Sequence, residues 1–204
     1  MKIGIFGGTF NPVHLGHILA AQSVREACGL DLVLFVPAAV SPFKVGADCA
    51  SPEDRLEMLR LAVGDDPCAG VSGVDIARGG VSYAIDTVRE IQAANPGATL
   101  YFIVGADCAS GLYHWREARA LLEECVFTVM TRPGSPLPCD DAAWRLPPPW
   151  PERLRAQSVE GRMCDISSSE IRSRVASGRT IRNLVPRPVE DYIAARGLYR
   201  PASP

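Results

Sequence analysis

Between Ile3 and Thr131 the chain alternates short apolar runs with helical patterns, and that alternation narrows the fold more than any other feature. The runs are Ile3 to Phe6, LVLFVPA (Leu32 to Ala38), a weaker VSGVDIA (Val71 to Ala77), TLYFIVGAD (Thr99 to Asp107) and CVFTVMT (Cys125 to Thr131). They are short, nearly continuous in apolar character and rich in β-branched and aromatic residues, as strands buried on both faces of a parallel sheet must be. Helical patterns lie between them. HILAAQSVREAC follows the first run, and SPEDRLEMLRLAV follows the second, with Ser51 as N-cap and Glu53 and Asp54 in its first turn. YAIDTVREIQAAN spaces Ala84, Ile85, Val88 and Ile91 along one face and stops at Asn95-Pro96-Gly97; WREARALLEE precedes the fifth run. Parallel neighbours need crossover helices, so the expected fold is α/β: a doubly wound, Rossmann-like parallel sheet.

The alternation breaks at RPGSPLPCDDAAWRLPPPWP (Arg132 to Pro151), which reads as an irregular connection with a short helix around Asp141 to Trp144. A strand and two further helical patterns follow, SSSEIRSRVASG and VEDYIAARGLY. No repeat and no second domain is visible. At 204 residues the chain suffices for one sizeable core, so a single domain over 1–204 is expected, with a C-terminal helical portion over about 167–200.

In such a sheet, ligands bind beyond the carboxyl ends of the strands. Gly7-Gly8-Thr9-Phe10 lies at that end of the first strand, where glycines let backbone amides approach a ligand and a helix start favours an anion. The segment lacks the Lys-Ser/Thr of a Walker loop and does not follow the dinucleotide-binding glycine pattern. It is followed by two of the chain's three histidines, His14 and His17, spaced to share one face of a helix start. Two imidazoles beside free amides suit a phosphate. A turn histidine with a buried, satisfied neighbour is the plainer alternative, and a metal pair a third, with His114 remote in sequence.

The net charge of -2 gives no global attraction for nucleic acid or an anionic membrane, so any anion site must be local. A second local site stands in DISSSEIRSR: one of Ser167, Ser168 and Ser169 can cap a helix whose amides, with a hydroxyl and Arg172, could hold another phosphate. Plain capping with a solvated arginine is the alternative. Two phosphate-shaped helix starts in one chain suggest a polyphosphate such as ATP.

GGTFNPVHLGH followed at a distance by ISSSEIR resembles the nucleotidyltransferase superfamily of adenylyl- and cytidylyltransferases, whose signatures are HxGH (His14-Leu15-Gly16-His17) and an ISSTxxR-like motif (Ile166 to Arg172). Within it, the chain is most similar to the bacterial nicotinate-nucleotide adenylyltransferases, through SYAIDT (Ser82 to Thr87), IVGAD (Ile103 to Asp107), LYHWR (Leu112 to Arg116) and RNLVPRPVEDYIAARGLY. The resemblance spans nearly the whole chain and is weakest from Pro136 to Gly161. It implies transfer of AMP from ATP to nicotinate mononucleotide, giving deamido-NAD and pyrophosphate in NAD biosynthesis, with Mg2+ accompanying ATP. That chemistry needs no catalytic base or nucleophile from the protein, because the attacking phosphate oxygen is already an anion.

The resemblance also implies roles. Gly7, Gly8, Thr9 and Phe10 line the nucleotide site through their backbone, and His14 and His17 contact the ATP phosphates. Ile166, Ser167, Ser168 and Arg172 belong to the motif that holds the β and γ phosphates, and Gly105 and Asp107 lie near the adenosine. Asp107 could equally cap the turn that follows its strand. Tyr83, Ala84 and Thr87 match the mononucleotide segment, and Trp115 would stack on the pyridine ring, a flat cation. Lys44, in SPFK, matches a lysine that reaches the phosphates in the motif PPHK; here Ser41 and Phe43 replace Pro and His. Family members commonly carry Thr at Ala84 and Asp at Asn11. His14, His17, Lys44 and Arg172 form the expected catalytic set, with no protein metal ligands.

Other readings stay open: an adenylyltransferase acting on nicotinamide mononucleotide or phosphopantetheine, or a nucleotide-binding regulator without turnover. Seven scattered cysteines without a CxxC pair, and no signal-like or membrane-length apolar run, fit reduced thiols in a cytoplasm. The expected partners are ATP and nicotinate mononucleotide, without nucleic acid or membrane. A homo-oligomer is compatible with Trp144 and Trp150, which either pack the proline-rich stretch down or meet a second subunit.

Overall fold

A computed structural model describes residues 1–42, 50–131, 137–162 and 164–201. Along the chain these form β1 (Lys2–Gly8), α1 (Leu15–Cys28), β2 (Leu32–Pro37), α2 (Pro52–Val63), β3 (Ala69–Val71), α3 (Val74–Arg78), α4 (Ala84–Ala94) and β4 (Thr99–Gly105). There follow α5 (Ala106–Ala109), a 3-10 turn (Leu112–His114), α6 (Ala118–Glu124), β5 (Val126–Thr131), a second 3-10 turn (Asp141–Trp144), α7 (Trp150–Ala156), β6 (Ser158–Glu160), α8 (Ser168–Ala176) and α9 (Arg187–Arg196). The strands pair in the order β3-β2-β1-β4-β5-β6, and every pairing is parallel. The expected doubly wound, Rossmann-like sheet is what the chain forms.

The pleat sends alternate residues to opposite layers. From β1, Phe6 joins Val33, Phe35 and Ile103 on the face covered by α1, α2, α8 and α9. Ile3 and Ile5 join Leu100, Phe102, Phe127 and Val129 on the face covered by α4, α6 and α7. Burying one such side chain stabilises by about 1.5–3 kcal/mol, so the strands are apolar because both their faces are spent on core. The close packing reaches Gly4, where a Cβ would lie 2.8 Å from Leu30 Cδ1 and 3.1 Å from Ile103 Cδ1.

Two sequence expectations are corrected. The third run is not a strand through Ala77: β3 ends at Val71, where Ser72 N–H donates to Phe35 O at 2.9 Å, and the chain turns at Gly73 into α3. Asp75 is the physical reason, since it is buried and its carboxylate accepts from Arg78 and from Thr87 Oγ1, which suits a turn of helix rather than an edge strand. The proline-rich stretch does not remain irregular to Pro151, because α7 starts at Trp150. Its prolines sit at the cap and the first turn, where a missing N–H costs nothing. The short helix expected at Asp141 to Trp144 is a 3-10 turn, with Trp144 fully buried and donating to Pro138 O at 3.2 Å.

Candidate active site

Strand order reverses its direction of growth between β1 and β4, which pair with each other, and the carboxyl ends of the strands at such a reversal are where open parallel sheets bind ligands. Gly7 to Phe10 leave β1 at that mouth, and Gly105 to Asp107 leave β4 beside it, with Gly105 capping α5 and Asp107 exposed in its first turn. Residues expected from the sequence to hold one nucleotide therefore meet at one edge of the sheet.

The loop between β1 and α1 is buried from Phe10 to His14 and contains a cis Asn11–Pro12 bond. His14 is the extended N-cap of α1, and its backbone N–H donates to Nδ1 of His17 at 3.2 Å. His17 thus does what a glutamate does at the third position of a capping box. With Nδ1 accepting, the proton of a neutral His17 ring sits on Nε2, which makes that atom the ring's donor. The two imidazoles stack at 3.7 Å between centroids, 31° apart, and Phe10 meets His17 edge-on at 5.0 Å. A Cβ on Gly16 would lie 3.0 Å from His14 Nδ1, so the glycine between the histidines is what lets the rings stack.

The second motif docks on this loop. Ser167 caps α8, accepting from Glu170 N–H at 3.1 Å, while Ser168 Oγ donates to Pro12 O at 2.9 Å. Arg172 Nη1 donates to Asn11 O at 2.8 Å, and its Nη2 to Ser169 Oγ at 3.3 Å. Among the described residues no carboxylate pairs with Arg172. A helix start, an arginine and two histidines converge here, and such a set attracts polyanions. Ile166, just before the helix, is half-buried against the apolar layer beneath.

On the other side, Tyr83 caps α4, Ala84 begins it, and the Arg116 guanidinium lies over the Tyr83 ring at 4.7 Å. Trp115 stands half-buried, edge-on to Phe102 at 6.0 Å, and the Phe102 ring tip is 3.6 Å from where a Gly7 Cβ would sit. An aromatic wall therefore reaches the mouth of β1. Thr87 is buried, its hydroxyl shared between Asp75 Oδ1 at 2.6 Å and Tyr83 O at 3.2 Å, so it braces the start of α4. Lys44 and Phe43 lie outside the described residues.

Sequence reasoning missed two neighbours on α2. Arg55, 2% exposed, donates to the backbone carbonyls of Thr9, Ala38, Ala39 and Ala50. Asp54 accepts from Ser51 Oγ, Tyr192 Oη and Arg196 Nε. Burial works to raise its pKa, yet the hydrogen bonds from Ser51 and Tyr192 and the Arg196 charge hold the carboxyl below its ordinary range. The signal was present: Arg55 stands three and four residues before Met58 and Leu59, on the buried stripe.

A separate groove of about 620 Å³ lies at the opposite edge of the sheet, between the starts of β4 and β5 and α7, lined by Thr99, Val126, Trp150 and Arg153. It contains none of the expected site residues, and parallel sheets place chemistry at the other end. Among the described residues, no group of three His, Cys, Asp or Glu side chains is arranged to hold a metal, and no helix is long and apolar enough to cross a membrane.

A family model described as cytidylyltransferase-like matches residues 5–174. The chain is 43% identical to a probable nicotinate-nucleotide adenylyltransferase of Citrifermentans bemidjiense, with 98% of each covered. It is 44% identical to another of Thermus thermophilus, covering 98% of this chain and all of the relative. Among solved structures it resembles Plasmodium falciparum nicotinic acid mononucleotide adenylyltransferase complexed with NaAD, at a TM-score of 0.74, 17% identity and 97% coverage of each.

Proposed function

The chain belongs to the nicotinate-nucleotide adenylyltransferases of the cytidylyltransferase-like family, and we propose that its crevice performs their reaction, transfer of AMP from ATP to nicotinate mononucleotide. A phosphate oxygen of the mononucleotide attacks the α-phosphorus of ATP; the bond to the β-phosphate oxygen breaks, and pyrophosphate leaves with the electron pair. The observation that carries the reading is the docking of α8, through Ser168 and Arg172, onto the loop that stacks His14 on His17.

In this reading the amides of the Gly8 to Phe10 loop and His17 Nε2 meet the α-phosphate, where charge rises in the transition state. Arg172 and the amides at the start of α8 hold the β and γ phosphates. Stabilising a developing oxyanion with one aimed donor is worth a factor of about 10²–10³, which suits a site with no base to offer. Trp115 stacks on the pyridine ring, with Tyr83 and Ala84 beside it, and Gly105 and Asp107 take the adenosine. Magnesium enters as part of the Mg-ATP substrate and screens the phosphates. The cationic and amide donors of this crevice suit phosphate oxygens rather than the metal itself.

We read the whole chain as one domain, because α8 and α9 share the apolar layer of α1 and α2. Cys28, Cys68, Cys125, Cys139 and Cys164 carry thiols outside any disulfide, which supports a reducing, cytoplasmic location. The test is incubation with ATP labelled at the α-phosphate and nicotinate mononucleotide. Label appearing in a dinucleotide, with one pyrophosphate per product, supports the reading; label remaining in ATP contradicts it.

A further inference from the structure

Arg55 is buried behind the loop that follows β1, and it grips the backbone of three separate segments. Its Nη1 donates to Thr9 O at 2.9 Å and Ala38 O at 2.7 Å, its Nη2 to Ala39 O at 3.0 Å and its Nε to Ala50 O at 3.2 Å. Thr9 belongs to the loop after β1, Ala38 and Ala39 to the exit of β2, and Ala50 to the approach to α2. The same helix start is anchored at its rear, since Asp54 takes Tyr192 Oη at 2.8 Å and Arg196 Nε at 3.2 Å from α9.

Peptide planarity turns this grip into a consequence for the ligand. In a trans peptide the C=O and N–H point in opposite directions. Arg55 holds the Thr9 carbonyl on one side, so the Phe10 N–H must face away from Arg55 and α2. The preceding peptide is held in the same sense, because Ala38 N–H donates to Gly8 O at 2.9 Å and so turns the Thr9 N–H away from β2. Phe10 has φ 47, a left-handed conformation that a bulky residue keeps only when its surroundings impose it. A buried guanidinium with several carbonyl acceptors is such an imposing neighbour.

We propose that Arg55 is the positioning residue of the phosphate loop: it fixes the Thr9–Phe10 peptide so that the Phe10 N–H is aimed at the transferring phosphate, without itself touching substrate. The proposal rests on the adenylyl-transfer reading above. Lysine at position 55 would keep the charge but present one short cluster of donors where the planar fork now spans three segments. A misaimed donor costs about a hundredfold in turnover.

The experiment has one arm on the unmodified protein and one on variants. In the wild type, titration with inorganic tripolyphosphate followed by amide NMR should shift the Phe10 resonance more than its neighbours outside the loop. In Arg55→Lys, checked by circular dichroism to be folded, that shift should shrink and tripolyphosphate should bind at least about tenfold more weakly. In steady-state assays of the same variant, kcat should fall about a hundredfold while KM for nicotinate mononucleotide stays within about twofold. Millimolar guanidinium should return part of the turnover of Arg55→Ala. A wild-type Phe10 amide indifferent to tripolyphosphate would overturn the proposal, and so would a folded Arg55→Lys with wild-type kcat. If the variants do not fold, the wild-type titration decides alone. A wild type that binds tripolyphosphate through Phe10 but transfers no AMP would sink the adenylyl-transfer reading and leave the aimed amide standing.

Discussion

Arg172 Nη1 donates to the main-chain oxygen of Asn11 at 2.8 Å, across 161 positions of sequence. That bond and its companion from Ser168 to Pro12 O set the N-terminus of α8 against the loop bearing the two histidines. Asn11 also accepts from Tyr199 Oη at 2.8 Å and from Ala50 N–H at 3.1 Å through its side chain. The loop after the first strand is thus held by Ala50 and by the far end of the chain, and it takes its shape only once those segments have folded around it.

His17 accepts from His14 N–H, and in the proposed reaction it would also donate from Nε2 to the phosphate. Replacing it by alanine should lower kcat about 10²–10³-fold, the usual cost of one aimed donor. His17→Glu restores the capping acceptor but puts an anion at the phosphate site. It should melt within a few degrees of wild type and be no more active than His17→Ala. Thermal melts beside steady-state kinetics check both. A Glu variant that keeps wild-type turnover would mean the ring does not serve the phosphates.

Gly16→Ala should separate activity from stability. The new Cβ would meet His14 Nδ1 at 3.0 Å and push the stacked ring aside. Alanine in a helix is favoured over glycine by up to about 1 kcal/mol, which offsets much of the crowding. A clear fall in kcat with a melting temperature close to wild type is expected.

Trp115 and Trp144 should behave oppositely. Trp115 is half-buried on the proposed pyridine side, and removing a stacking partner costs about 1–3 kcal/mol. Trp115→Ala should therefore raise KM for nicotinate mononucleotide tenfold or more, leaving KM for ATP unchanged. Trp144 is fully buried, so Trp144→Ala should cost about 3–5 kcal/mol of stability and leave both KM values alone in the folded fraction. Denaturant titrations with matched kinetics tell the two apart.

The Asp54 carboxyl is held below its ordinary pKa in the folded protein, despite burial, by Ser51, Tyr192 and Arg196. A lowered folded pKa adds stability that is fully present above the unfolded value, about 3.9, and is lost as pH falls through the folded value. Asp54→Asn should therefore be less stable than wild type at neutral pH, by about 1–3 kcal/mol for the weakened bonds. The gap should narrow as pH drops below about 4. Urea unfolding of both proteins at pH 7 and pH 3 measures it; an equal gap at both would contradict the sign argued here.

Much of the fold was legible because four of the apolar runs are nearly pure core, and a residue buried on either side of a sheet has little choice of composition. VSGVDIA was misread because Val71, Val74 and Ile76 mimic a strand, while nothing in the sequence shows that Asp75 is buried and bonded to Arg78 and Thr87. The start of α7 was hidden by prolines that normally end a helix and here begin one. The two motifs were readable, and so was the expectation that they serve one polyphosphate, but the way α8 docks on the first loop was not, because hydrogen bonds across more than 150 residues leave no local trace. Arg55 was hidden for a related reason: the carbonyls of Thr9, Ala38, Ala39 and Ala50 that it holds are main-chain groups, which every residue has.

The central claim is adenylyl transfer to the nicotinate mononucleotide, and pyrophosphate release from Mg-ATP tests it most directly, with nicotinate mononucleotide, nicotinamide mononucleotide and phosphopantetheine compared in parallel. The account predicts rapid release with the nicotinate form, a much lower kcat/KM with the amide and none with phosphopantetheine. No release with any of the three, from folded protein that still binds ATP, would contradict it.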